Sequence, residues 1–201
     1  MNMSVRGNQA LLGALAVLFA SVVCAAPSQA QTSTWQIDPA HANAQFTVRH
    51  LSISNVSGQF NKMGGTIRLD DKDVTKSVVN ATIDVTSVDT RDSTRDNDLK
   101  SDHFFDVAKY PTMTFVSTKI EIAGAGKLKM TGNLTLHGVT KEVTFDVDGP
   151  SDAITDPWKN QRRGASATTT INRRDFGITT YPAAAIGDDV KITLDIEFIK
   201  K

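Results

Sequence analysis

Four histidines, His41, His50, His103 and His137, and the acidic stretch Ser101–Phe115 (SDHFFDVAKYPTMTF) are where this chain is best equipped for chemistry. Asp102 and Asp106 flank His103 and stand four positions apart, a spacing open to an acid/base pair. A general acid needs burial or a like charge to raise its pKa. This segment opens hydrophilic, with Lys109 close by, so turn capping by Asp102 is the simpler role. A metal site needs three or four convergent ligands. No two histidines are paired at close spacing, and His41 and His50 are nine positions apart, so no metal is expected. His41 and His103 are expected to bond loop backbone. His50 and His137 are expected at strand ends, with His137-Gly138 in a hairpin turn.

The common catalytic signatures are missing: no Gly-x-Ser-x-Gly, His-Glu-x-x-His, Cys-x-x-Cys or Gly-x-Gly-x-x-Gly. Asp175-Phe176-Gly177 spells a kinase triplet, but the Gly-rich loop and the His-Arg-Asp segment are lacking. It reads as a strand end followed by a flexible glycine. An enzyme would have to use His50 or His103 with Asp102 or Asp106. The chain carries 22 Lys+Arg against 22 Asp+Glu, without the basic face that neutralises phosphates, so no nucleic-acid partner is expected. The pairs Arg162-Arg163 and Arg173-Arg174 are local, with Asp156 and Asp175 nearby.

Residues 1–30 read as a cleaved secretory leader. Arg6 precedes the apolar run Ala10–Ala20, and Ser28-Gln29-Ala30 offers a small-x-small cleavage site. A membrane anchor and a lipid-modified Cys24 are the alternatives; Val23 before Cys24 is bulky for the latter. Cleavage removes the only cysteine, so residues 31–201 must hold together by their core without disulfides. One domain in the periplasm is the resulting expectation.

After residue 30 the pattern is strand upon strand. Apolar and polar residues alternate in Gln45–His50, Thr66–Leu69, Ala81–Val85, Thr112–Val116, Leu128–Leu136, Val143–Val147, Ala165–Ile171 and Val190–Ile199. Turn formers at Asp70–Asp73, Ala123–Gly126, His137-Gly138, Gly149–Asp152 and Gly187–Asp189 separate them. The one helical segment is Ser93–Ser101, capped by Asp92 or Ser93. Eight half-buried antiparallel strands make an all-β domain, a closed barrel or a two-sheet sandwich. Aromatics are spread over many of these strands. They serve either a packed core or the wall of a long apolar channel, and periodicity does not choose between them. Phe104-Phe105 and Tyr110-Pro111 read as a gate: the rings close apolar space, and Pro111 steers Tyr110 into extended backbone.

Several longer stretches resemble the YceI-like family of secreted bacterial proteins. They are Trp35–His41 (WQIDPAH), Phe46–His50 (FTVRH), Val56–Phe60 (VSGQF), Ser101–Pro111, Gly132–Val143 (GNLTLHGVTKEV), Ile171–Gly177 (INRRDFG) and Gly187–Val190 (GDDV). The resemblance covers about residues 34–198. It implies an extended eight-stranded antiparallel β-barrel, lipocalin-like, that holds an amphipathic isoprenoid or isoprenoid-quinone lipid in a long pore. It further implies a soluble periplasmic protein, often a homodimer, without established catalysis, exchanging cargo with a membrane-protein donor or acceptor and linked to stress responses. A stress-related protein-interaction module is the alternative to a carrier. On the carrier reading the apolar lining candidates are Phe46, Val48, Phe60, Met63, Phe104, Phe105, Met113, Phe115, Met130, Leu134, Phe145 and Phe176. Arg49, His50, Arg173, Arg174 and Asp175, polar at the ends of apolar strands, are the head-group candidates. Two departures from the family pattern are Ala42, where Ser is frequent, and Met63, where an aromatic is common.

Overall fold

Strict alternation in the sequence becomes one inward row of side chains per strand. A computed structural model describes residues 1–3 and 32–201, so the expected leader and Cys24 lie, apart from residues 1–3, outside the described residues. The strands are β1 (Thr32–His50), β2 (Ser54–Phe60), β3 (Met63–Asp70), β4 (Val78–Asp84), β5 (Val88–Asp89), β6 (Thr112–Gly124), β7 (Lys127–Leu136), β8 (Val139–Asp148), β9 (Ile154–Thr155), β10 (Gln161–Asn172) and β11 (Ile186–Lys200). Among the described residues one α-helix, α1 (Ser93–Lys100), lies between β5 and β6.

Eight of these strands close a ring in the order β11-β10-β8-β7-β6-β4-β3-β1, with β1 pairing back onto β11. Every pairing is antiparallel. Closure leaves the ring itself without an edge strand. The barrel expected from the sequence is therefore the fold. Each ring strand matches one of the eight expected segments, Val85 alone falling just past its strand in a 3-10 turn, and β2, β5 and β9 are additions.

β1 is the long member. It was expected only from Gln45, yet it runs 19 residues and pairs β11 from Trp35↔Lys200 to His50↔Ile186. The register breaks between Ile37 and Ala42, where Asp38-Pro39-Ala40-His41 bulges out. Proline has no amide to give a ladder, so it sits at such a bulge. On its other side β1 pairs β3 along Thr32–Gln36 and β2 along Ala44–His50. β2 and β3 thus act as one wall strand broken at Asn61-Lys62.

Local chemistry explains most turns. His137 (φ 51°) and Gly138 (φ 73°) form the two-residue turn between paired Leu136 and Val139, as the sequence suggested. Asp92 caps α1, accepting from the amides of Thr94 and Arg95 at 3.0 Å each. Two expectations need correction. Gly187-Asp188-Asp189 is not a turn but part of β11, held by pairing of Asp189 with Asn172. Asp102 caps nothing: the Ser101 carbonyl accepts from the amides of Phe104 and Asp106, and Ser101 Oγ from that of His103.

The inward rows meet in one core that runs from Trp35 packed edge-on against Phe198 to Phe60 against Phe105. Two close approaches need glycine. A Cβ on Gly58 would stand 2.4 Å from the Phe46 ring, and one on Gly132 2.5 Å from that of Phe115. These glycines let large rings lie flat across a neighbouring strand.

Candidate functional site: the barrel interior

The barrel has two ends. The upper end carries the β1–β2 turn, α1, the Ser101–Pro111 segment and the 177–185 segment. The lower end carries the β6–β7 turn, the β9–β10 hairpin and the start of β1. A cavity of ≈ 130 Å³ occupies the lower half, walled by Met63, Phe115, Met130, Leu134 and Phe145 among others. A second, of ≈ 110 Å³, occupies the upper half, walled by Phe46, Val48, Phe60, Phe104 and Phe105. Ile83, Met113, Ile192 and Leu194 line both, so the two cavities meet at a waist. A packed water-sized group takes about 30 Å³, so each half has room for roughly four. The lining is apolar apart from Ser77, Thr114 and Ser166 below and Gln45 and Arg173 above. Apolar space of this kind has no affinity for water and takes an apolar guest.

Eleven of the twelve lining candidates face one cavity or the other. Phe176 does not. It is 2 % exposed and packs beside Val143 and Ile171, next to exposed Asp175 in a surface depression. The sequence understated the β11 row: Ile192, Leu194 and Ile196 all line the interior. Their alternation was legible; their facing a void was not.

Beyond the upper cavity lies an outer groove of ≈ 620 Å³, reached past Phe46, Leu99 and Phe104. Phe104 stacks on Tyr181 with ring centres 5.4 Å apart. The Tyr181 hydroxyl points to Asp98 Oδ2 at 3.5 Å, and His103 Nδ1 lies 2.8 Å from Asp98 Oδ1. Tyr181 is the member of this gate that sequence reading missed; its signal was a second Tyr-Pro step, Tyr181-Pro182.

The head-group candidates are scattered. Arg173 is buried, and its guanidinium donates to the carbonyls of Ile178, Tyr181, Ile186 and Gly187 at 2.6–3.1 Å, with Asp188 at 2.9 Å. Burial lowers its pKa and the Asp188 carboxylate opposes that. All three of its nitrogens are engaged in bracing the 178–187 chain over the barrel end. Arg174 is likewise tied to Asp188 and the Tyr181 carbonyl. Arg49 is exposed and donates to Asn55 and the Ser52 carbonyl. Of these candidates His50 alone faces the groove, with a ring that has no hydrogen-bond partner among the described residues.

The other polar cluster closes the β1 bulge. Arg162 Nη1 donates to Asp38 Oδ2 at 2.6 Å and Glu197 Oε2 at 3.1 Å, and its Nε to Asp156 Oδ2 at 2.7 Å. Bonding to Arg162, and then to His41, holds the Asp38 carboxyl near pKa 2. Burial pushes Asp156 up, but bonding to Arg162 and Asn160 outweighs it and leaves that pKa at about 2. The same two acids hold the Arg162 pKa above its ordinary value. Asp38, His41 and Glu197 offer ligand atoms within 4.8 Å of one another. The Arg162 guanidinium already bonds both carboxylates there, so a metal would have to displace it. His41 and His103 thus bond carboxylates, Asp38 and Asp98, not the backbone expected of them.

The family model described as YceI-like domain matches residues 35–198. The chain belongs to the YceI-like family. A UPF0312 protein of Vibrio parahaemolyticus is 40% identical to this YceI-like chain over 183 residues, 90% of this chain and 95% of its own. The Campylobacter jejuni YCEI protein crystal structure superposes with TM-score 0.69 at 35% identity, covering 76% of this chain and 89% of that one. A polyisoprenoid binding domain from Saccharophagus degradans shares the fold, with TM-score 0.61 at 16% identity over 83% of this chain and 98% of that one. A YceI-like barrel with this interior is consistent with binding of a hydrophobic ligand.

Proposed function

We propose that this protein binds and shields a long isoprenoid chain in its barrel and does not transform it. The observation that carries the reading is the pair of apolar cavities meeting at the Met113 waist. Burying an apolar chain yields about 0.8 kcal/mol per methylene. Roughly twenty carbons then suffice for tight binding after ordering costs, without a charged clamp. The polyisoprenoid-binding Saccharophagus domain supports the ligand class, and an isoprenoid quinone is the specific candidate. The cavity walls offer hydroxyls, the Gln45 carboxamide and one guanidinium held by carbonyls, a poor set for acid/base chemistry. The leader-like residues 1–30 support action in the periplasm after export.

Detergent-free purification, solvent extraction and mass spectrometry test the proposal. A stoichiometric isoprenoid is expected. An extract without any apolar chain, from protein that also fails to take one up from added isoprenoid, overturns it.

A further inference from the structure

The β1–β2 turn is the most exposed apolar point at the upper end. Leu51 is 53% and Ile53 76% exposed. Both stand on a tight turn closed by the Ile53 amide donating to the His50 carbonyl at 3.0 Å. Leu51 has φ 48° and Ser52 φ 58°. Such backbone suits Gly, Asn or Asp, and a bulky residue there is strained. The chain gives up stability to keep Leu51 in solvent. The Leu51 amide also donates to the Ala185 carbonyl at 2.8 Å, joining the turn to the segment Tyr181-Pro182-Ala183-Ala184, whose last three residues are exposed.

Charge follows the same division. Residues 49–57 and 178–186 contain no Asp or Glu, and Arg49 is their one permanent charge. Asp92 and Asp98 line the groove instead of the turn. A turn without carboxylates, with Arg49 beneath two apolar side chains, complements a phospholipid surface, with phosphates over hydrocarbon; Asp188 is held back by Arg173 and Arg174. A narrow turn offers a second folded chain little flat area to pack against.

We propose that the Leu51–Ile53 turn, with Arg49 and the Pro182–Ala184 segment, is a membrane-docking tip that sets the upper mouth of the barrel against a lipid bilayer. The proposal deepens the cargo reading, because the groove and the Phe104–Tyr181 gate open at this end.

Flotation with phosphatidylethanolamine/phosphatidylglycerol vesicles tests it. The double variant Leu51→Asn/Ile53→Ser is expected to lose bound fraction at least tenfold, while Trp158→Ser, an exposed site at the lower end, binds as wild type. Leu51→Asn alone is expected to bind less and yet melt about 2 °C higher, since Asn tolerates this backbone. That opposite pair of changes separates docking from misfolding. No flotation of the wild type, equal flotation of the double variant, or conversion of a dimer to monomer by the double variant overturns the docking site. Flotation by protein whose extract is empty and which takes up no added isoprenoid supports it and overturns only the cargo reading.

Discussion

Ala167 faces the lower cavity from β10 and is 7% exposed. Ala167→Leu adds three carbons where the structure leaves ≈ 130 Å³ empty. At about 0.8 kcal/mol per buried carbon the gain is about 2 kcal/mol. The void itself, at about 24 cal/mol per Å³, costs about 3 kcal/mol, so the gain lies within what filling it can return. For a domain of this size the cargo-free protein should melt about 4–8 °C higher. The protein is denatured, extracted with solvent, refolded and followed by circular dichroism. In loaded protein the sign reverses. The new side chain displaces three cargo carbons, and affinity for an added isoprenoid should fall roughly 50-fold. If the interior were instead a filled core, the same substitution would overpack it at a cost of about 1–3 kcal/mol. A lower melting point in the cargo-free protein refutes the cavity argument.

Phe104→Ala removes the Tyr181 stack and part of the wall between groove and cavity; a loss of about 2–3 kcal/mol and faster cargo release into acceptor vesicles are expected. Unchanged melting with unchanged release would show that the ring is no gate. At the β1 bulge, Asp38 and Asp156 are held near pKa 2 against an ordinary 3.8. Between those values the unfolded chain binds more protons, so their contribution is complete above about pH 4 and is lost as pH falls toward 2. Arg162→Ala should lower the urea midpoint at neutral pH and flatten that acid limb, read as urea midpoints against pH. An acid limb as steep as that of the wild type would count against the pairing.

The barrel was legible because alternation reports which face a residue takes. Ile192, Leu194, Ile196 and Phe198 give β11 away with no help from the rest of the chain. The first half of β1 was hidden by Asp38-Pro39-Ala40-His41, a turn-like string that the fold uses as a bulge. β2 was hidden by its serines, Gly58 and Asn55, residues that make a weak strand until β1 pairs it. The site was less legible for a geometric reason. A residue facing a void and one facing a packed neighbour have the same parity. Only strand number and stagger decide how much space is left between the walls. Phe115 and Phe176 look alike in the sequence; one lines the cavity and the other plugs a corner beside Val143.

Arg173 carries the sharper lesson. An arginine at the end of an apolar strand reads as a clamp for a head group, and here four carbonyls and Asp188 consume it. Removing it from that brace to hold a ligand would free the 178–187 chain that supports Tyr181, and with it the gate. On the cargo reading, recognition therefore falls on the chain more than on the head. The walls supply it through Met63, Met113 and Met130, unbranched thioethers placed along the lower cavity and at the waist. Such side chains change rotamer at little cost and can follow the methyl branches of an isoprenoid. On that reading the barrel would discriminate by cross-section and length and tolerate change at the polar end, where, of the head-group candidates, His50 faces the groove with a ring unbonded among the described residues.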